Sequence, residues 1–174
     1  MSHGVPHEAQ HTEDQTAKQV GMLAAFLAIG LTMVTIASHR THTHGIVARS
    51  EANDLWAYYQ SKRIKYHTQE LGLDLLTAQG AHGEAAEKVM KKFEAERERQ
   101  GVESDKIKEQ AKEKEKESEH AEHRALRFDF AEGLFEIGLV MSSMFFLAHR
   151  KIFPIIGILA GLAGVVLGVV GILT

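Results

Sequence analysis

The sequence of 174 residues contains no cysteine, only two prolines and almost no net charge. Without cysteine, the chain can form no disulfide, no thiol-based catalytic centre and no cysteine-ligated metal site. A formal net charge of −3 at pH 7 gives no overall attraction toward nucleic acid, so we predict no nucleic-acid partner. A phosphate-binding loop and a nucleophile elbow are also missing from the sequence, and we predict that the protein is not an enzyme.

Charge and apolar residues are separated into blocks, and three blocks are apolar enough to cross a membrane. Residues 20–37 and 152–173 carry no charge over 18 and 22 positions, and a spanning helix needs roughly 20. The uncharged run 137–148 has only 12 residues, so a span there must extend back through two glutamates. A cleaved signal peptide is the alternative for the first block, but acidic residues precede it where a signal peptide is basic. We predict a polar, irregular tail over residues 1–17 and transmembrane helices over residues 18–38, 128–148 and 152–174.

Residues 39–127 form the only water-facing part of any size. Apolar residues recur at helical intervals over 46–77, residues 79–83 predict a turn, and the segment after it is dense in alternating charges that can pair along a helix. We therefore predict an antiparallel helical hairpin, coiled-coil-like, that forms an arm between the first and second spans. The overall prediction is an all-α membrane protein with three transmembrane helices.

Within this arm, aromatic residues indicate an interface between helices, formed by Trp56, Tyr59 and Tyr66. We predict the best packing near the turn, since the lower part has too few apolar residues to associate by itself. Gly101 followed by Ser104 predicts a hinge and a new helix N-cap.

The third span carries glycines at spacings of four, three, four and three, which places them on one face of a helix. A smooth face lets another helix backbone approach closely in lipid. The residues alone leave open whether that helix belongs to the same chain or to another, and our hypothesis is a homo-oligomer assembled through this glycine ladder. Its members are Gly157, Gly161, Gly164, Gly168 and Gly171.

The second span carries an acidic stripe, formed by Asp129, Glu132 and Glu136 on one helix face. An ionised carboxylate that faces lipid costs at least a few kcal/mol. The stripe is therefore expected to face the bundle interior, to be protonated or to pair with a cation such as Arg40, Arg124 or Arg127. It would serve a proton or cation path or form the polar interior of an oligomer, or it would simply mark an interfacial end where the bilayer thins.

Five histidines flank the predicted spans, namely His39, His42, His44, His120 and His123. If the arm folds back, they meet in one layer beside the membrane. Imidazole and carboxylate suit zinc or another transition metal, and such a layer would also titrate between pH 5 and 8. The alternative is that they are ordinary interfacial residues. We predict no other cofactor.

Two segments resemble an uncharacterised bacterial membrane family, domain of unknown function 4337. The first is the run Ala52-Asn-Asp-Leu-Trp-Ala-Tyr-Tyr-Gln-Ser-Lys-Arg-Ile-Lys65, and the second is Phe128-Asp-Phe-Ala-Glu132. The resemblance extends over most of the chain. It implies a multi-pass protein of the bacterial inner membrane and no particular reaction. Basic residues beside the spans slightly favour an arm in the cytoplasm.

From these features we predict a homo-oligomeric structural or scaffolding protein in the lipid bilayer, whose arm is presented to protein partners. The alternative is an ion or proton channel lined by Glu132 and Glu136, in which the histidine layer acts as a gate or sensor.

Overall fold

The computed structural model describes residues 7–173, with side chains described from Gln15 onward. These residues form three helices and no strand: α1 (His7–Ala78), α2 (Glu84–Ala148) and α3 (Ile152–Leu173). All three are long and apolar enough to cross a membrane. The prediction of an all-α chain with three helices of spanning character is confirmed for this part of the chain.

The start of α1 corrects the predicted irregular tail. Residues 7–17 are helical, while residues 1–6 of that tail lie outside the described residues, as does Thr174. No glycine or proline occurs between His7 and Val20. Extending an existing helix costs far less than starting one, so the apolar helix can propagate backward into this polar sequence.

The chain divides into two compact units. Unit 1 comprises residues 1–43 and 121–174, and unit 2 comprises His44–His120. Helices α1 and α2 contribute to both units, whereas α3 belongs to unit 1 alone.

In unit 2, α1 and α2 pack side by side in opposite directions. Phe93 lies against Gly72, Tyr66 against Gly101, and the Lys114 ammonium group lies 2.8 Å from the Glu51 carboxylate. The connection between the helices falls at the predicted turn, where Gly80 and Gly83 have φ of 60° and 102°. Glycine adopts these left-handed values without steric cost.

The lower part of this helix pair is packed with small residues, which corrects the prediction that it is too poor in apolar residues to associate. The residues buried there include Ala48, Ala52, Ser104, Ala111 and Ser118. Ala48 and Ala52 are four residues apart on α1, and Ser104, Ala111 and Ser118 recur every seven residues on α2, so each set lies on one helix face. Small side chains at these positions bring the helix axes close, so little apolar area is needed to keep water out.

The hinge predicted at Gly101 is also wrong, because α2 continues through it. The Ser104 hydroxyl donates to the carbonyl of Gly101 at 2.8 Å, a bond inside a helix rather than a cap at its start. A Cβ on Gly101 would lie 3.4 Å from the Tyr66 ring. The glycine therefore serves packing between helices.

Unit 1 has a core of aromatic and branched residues contributed by α1 and α2, with α3 against them. The core residues are Leu27, Val34, Phe128, Ala131 and Phe135. Its outer surface carries large apolar residues, among them Phe26, Phe130, Leu147, Leu159 and Val166. Between α2 and α3 the chain reverses at His149, which has a φ of 51° and donates its N–H to the Phe145 carbonyl at 2.8 Å. This left-handed residue ends α2 as a C-terminal cap.

Candidate functional site: the acidic stripe and the glycine face of unit 1

All five glycines of the predicted ladder are buried on one face of α3, together with Pro154. A Cβ on Gly157 would lie 2.5 Å from the Ser142 hydroxyl oxygen and 2.9 Å from the Gly138 carbonyl oxygen. A Cβ on Gly171 would lie 2.9 Å from the Phe128 ring, and one on Gly161 would overlap a methyl group of Leu27. The helices that approach the ladder are therefore α1 and α2 of the same chain. The ladder glycines thus pack within the chain, and a homo-oligomer stays a prediction.

Two further glycines take part in this packing and carry no ladder pattern in the sequence. A Cβ on Gly30 of α1 would lie 2.6 Å from the Phe135 ring, and one on Gly138 of α2 would lie 3.1 Å from the Gly157 carbonyl oxygen. Each glycine receives the side chain or backbone of a facing helix. The signal that could have found them is their position in uncharged helical segments, where glycine weakens a helix and so needs a packing reason.

The acidic stripe is divided by its surroundings. Asp129 accepts hydrogen bonds from the Ser38 hydroxyl at 2.6 Å and from His42 Nε2 at 3.1 Å. Glu132 accepts a hydrogen bond from the Thr35 hydroxyl at 2.8 Å. These two carboxylates thus face α1, with Glu132 half-buried and the Asp129 side chain still 42% exposed. Their partners here are hydroxyl and imidazole groups, whereas Arg124, one of the predicted cations, donates to the Gly171 carbonyl at the end of α3.

Glu136 is exposed, as Asp129 is, but in the described part of the chain no hydroxyl or imidazole group of α1 is hydrogen-bonded to it. Thr35 faces Glu132 and Ser38 faces Asp129, so the same antiparallel register places the apolar Leu31 beside Glu136. Glu136 lies nine residues, about 13 Å along the helix, from Arg127. It is therefore near the middle of the predicted second span, and an intramembrane carboxylate is a candidate functional residue by default.

The five flanking histidines are distributed between the units. His42 contacts Asp129 in unit 1, and His44 Nε2 lies 3.2 Å from Glu117 in unit 2. His39 and His123 belong to unit 1, and His120 belongs to unit 2. Among the described residues, no group of three or more histidines and carboxylates is placed to hold a metal ion. A metal bound at these histidines stays a prediction.

One sequence signal lies at the start of α1, where residues 7–11 read H-E-A-Q-H. This order of residues occurs at the zinc site of metalloproteases, where two histidines one helical turn apart bind the metal and the glutamate acts as a base. Such a site also needs a third ligand. Side chains before Gln15 lie outside the described part of the chain. The absence of enzymatic activity stays a prediction.

The helix pair of unit 2 contains a buried ammonium group at its centre. Lys62 is only 8% exposed, pairs with Glu103 and lies 5.2 Å from the centroid of the Tyr58 ring. The bond to Glu103 raises the pKa of Lys62 and lowers the pKa of Glu103. A charged residue at a seam position lowers stability but fixes the alignment of two helices. A shift of seven residues between α1 and α2 would separate Lys62 from Glu103, so this ion pair favours the observed alignment of the two helices.

The three aromatic residues predicted for the arm interface all lie on α1 in unit 2, and they make different contacts. Tyr59 and Tyr66 are half-buried on the α1 side of the seam, and Tyr66 lies against Gly101. Trp56 packs edge-on against Tyr59, with the ring centroids 5.5 Å apart. Arg63 stacks over the Tyr66 ring at 4.7 Å. The aromatic rings thus widen the contact between α1 and α2 near its centre.

A family model described as "Domain of unknown function (DUF4337)" matches residues 16–174. This confirms the resemblance seen in the residues 52–65 and 128–132. No curated protein and no solved structure matches the chain.

Proposed function

The chain belongs to the family described as domain of unknown function (DUF4337), and on this premise we propose that it is a non-enzymatic scaffolding protein of the bacterial inner membrane. Unit 1 anchors the chain in the bilayer, and unit 2 is the arm that binds partners in water. The protein works as a homo-oligomer.

The observation that carries the proposal is the contrast between the two surfaces. In unit 1 all three helices expose large apolar residues, such as Phe26, Phe130 and Leu159, as lipid contact requires. In unit 2 the outward face of α2 is charged, with Lys88, Lys92, Arg99, Lys106, Glu109 and Lys116 exposed. A surface of this kind favours water. One helix pair can therefore cross from one solvent to the other.

The test uses single cysteines, because the natural chain has none. Ala95 is exposed on α2 in unit 2, and Val165 is exposed on α3 in unit 1. In sealed vesicles of one orientation, a membrane-impermeant maleimide should label Ala95→Cys and leave Val165→Cys unlabelled. Labelling of Ala95→Cys in inside-out vesicles only would support an arm in the cytoplasm. Extraction of the chain by alkaline carbonate, or equal labelling of both variants, would contradict the membrane anchor.

An ion or proton path is the second candidate, and the observation that favours it is that Glu136 is exposed and, among the described residues, is not hydrogen-bonded to α1. Asp129 and Glu132 are engaged by α1, so a path would need Glu136 side chains from several copies around a common axis. If so, Glu136→Gln should abolish ion or proton flux into proteoliposomes, while Glu94→Gln on the exposed face of unit 2 should leave it unchanged. If the wild-type protein shows no flux above empty vesicles, the scaffold function is favoured and Glu136→Gln should preserve assembly.

A further inference from the structure

The outer face of α1 in unit 2 carries a second regular stripe of uncharged residues. It recurs at alternating spacings of four and three, opposite the seam that α2 covers, and all its members are exposed: Ala57, Ser61, Ile64, Thr68, Leu71, Leu75 and Ala78. Ile64 is 67% exposed, Leu71 59% and Leu75 52%. The hydroxyl of Thr68 is satisfied by the carbonyl of Ile64 in its own helix, so this residue presents its methyl group. Asp54, three residues before Ala57, occupies the preceding position of the same spacing, and its charge ends the uncharged stripe.

This spacing is informative about what covers the stripe. A straight α-helix has 3.6 residues per turn, so a stripe that repeats every 3.5 residues winds slowly around the helix. Only another long helix that supercoils with α1 can follow such a stripe along its length. In lipid a surface of this kind would need no cover, but unit 2 is charged and water-facing. An exposed, uncharged stripe that runs for three heptads in water and contains Ile64, Leu71 and Leu75 therefore indicates a helix partner.

We infer that this stripe, residues 57–78 of α1, docks against the same stripe of a second copy of the chain in a parallel, in-register pair. The inference rests on the proposed membrane function, because copies inserted in one orientation run their α1 helices in the same direction. The outer face of α2 is an unsuitable partner, since its lysines, arginine and glutamates would be removed from water against apolar residues. An α1-to-α1 contact is also self-complementary, so it closes as a dimer.

Charge at the edges of the stripe permits this alignment. In a parallel pair, a residue on one edge of the stripe faces the residue five positions later on the opposite edge of the other helix. The three flanking pairs are Asn53 with Tyr58, Gln60 with Lys65, and His67 with Gly72. None of these is a pair of like formal charges at neutral pH. The two Asp54 carboxylates would face each other at the end of the stripe, which defines where close contact stops.

The size of the stripe sets the conditions under which the pair forms. Its 22 residues extend about 33 Å, and a helix face about 10 Å wide gives roughly 660 Å² for both copies. Stable interfaces bury about 1,200 Å² or more, so the stripe alone is a weak interface. Confinement of both anchors in one bilayer raises the effective concentration of the stripes. The dimer should therefore persist in membranes and dissociate on dilution in detergent.

The matched alanines Ala57 and Ala95 provide the test, since both are small and exposed, one on the stripe and one on the outer face of α2. Full-length Ala57→Cys and Ala95→Cys chains are reconstituted into liposomes at low protein density and oxidised. We expect at least tenfold more disulfide-linked dimer from Ala57→Cys. Adding Leu71→Glu to Ala57→Cys should reduce its yield to the Ala95→Cys level, whereas adding Val102→Glu, on the outer face of α2, should leave it unchanged. Ile64→Gln is a second, milder stripe variant, and helicity measured by circular dichroism confirms that each variant is folded.

Each other outcome overturns part of the argument. Equal cross-linking of the two cysteines in chains that resist carbonate extraction would overturn the stripe pairing and leave the membrane function intact. Release of the chain by carbonate would overturn the membrane function itself. Protection of Ala57→Cys from maleimide in native membranes, without cross-linking of the purified chain, would show that a different protein covers the stripe and would overturn the second copy as its occupant.

Discussion

Units 1 and 2 use the same seam spacing on α1 and α2 but fill it in different ways. In unit 1, phenylalanine and leucine side chains enter spaces left by glycines on α3, and the outer surface is apolar. In unit 2, alanines and serines meet, an ammonium group is buried, and the outer surface of α2 is charged. In the proposed function, unit 1 lies in lipid, which gives no hydrophobic drive between helices, so unit 1 depends on close contact. Unit 2 is then in water, which supplies that drive, and a few small apolar residues suffice.

The comparison also separates two kinds of exposed apolar residue. In the proposed function, an exposed leucine on unit 1 contacts lipid tails and needs no further partner. The exposed Ile64, Leu71 and Leu75 of unit 2 have no such solvent if unit 2 is in water. In that arrangement, exposed apolar residues at the same spacing on one helix need a protein partner in unit 2 but not in unit 1, because the surrounding solvent differs.

The largest effect is expected from filling the glycine face. Gly157→Val should lower the free energy of unfolding of unit 1 in detergent by about 3 kcal/mol or more. Its Cβ would meet the backbone of α2, which cannot shift without disturbing the helix. Gly133→Val is the matched control, since a Cβ on Gly133 would meet nothing within 4 Å. Unfolding would be followed by circular dichroism in increasing sodium dodecyl sulfate. Equal stability of the two variants would refute the packing of α3 described here.

A smaller effect is expected from overpacking the small-residue seam of unit 2. Ala111 is fully buried, so Ala111→Leu should force the helices apart and lower the stability of unit 2 by about 1–3 kcal/mol. Lys112→Leu, at the exposed neighbouring position, should change it little. Trp56 is the only tryptophan, so its fluorescence reports unit 2 selectively during thermal unfolding. An unchanged melting temperature in Ala111→Leu would indicate that the seam is looser than the contacts imply.

The smallest effect is expected from the ion pair of the buried Lys62 with the partly exposed Glu103, and it should depend on pH. Glu103 has a lowered pKa, so its contribution is present above its ordinary pKa of 4.5 and is lost as the pH falls through the folded-state value. Lys62 has a raised pKa, so its contribution is complete below its ordinary pKa of 10.5 and is lost as the pH rises through the folded-state value. Wild type should therefore be stabilised relative to Glu103→Gln at neutral pH.

This difference should shrink below about pH 4. Trp56 fluorescence across a pH series of both proteins gives the measurement, with Glu98→Gln as the exposed control. A constant difference down to pH 2 would show that Glu103 acts through something other than its charge.

Much of the architecture could be predicted from periodicity and composition. The uncharged runs and the turn at residues 79–83 gave the order of the three helices, and the residues 52–65 and 128–132 identified the family. The seam along unit 2 could not be recognised as apolar, because alanine, serine and a buried lysine carry it. The buried residues recur at helical intervals, but their side chains are too small or too polar for a hydrophobic pattern to reveal them.

The candidate site shows the same limit at individual residues. Asp129, Glu132 and Glu136 were identifiable as one acidic face, yet only two of them find hydrogen-bond partners, since Thr35 and Ser38 lie on α1, about 90 residues away in the chain. Likewise, the ladder glycines predicted that another helix packs closely against α3, but they did not predict which helix it is.

The sequence by itself thus determined the helices, the separation of apolar and charged blocks, and the faces on which glycines and carboxylates lie. These properties follow from local periodicity along one chain. Only the tertiary structure decided which face meets which: α3 fills its glycine face with α1 and α2 of its own chain, and Glu136 remains outside. That choice depends on steric fit between residues distant in sequence, which no local pattern encodes.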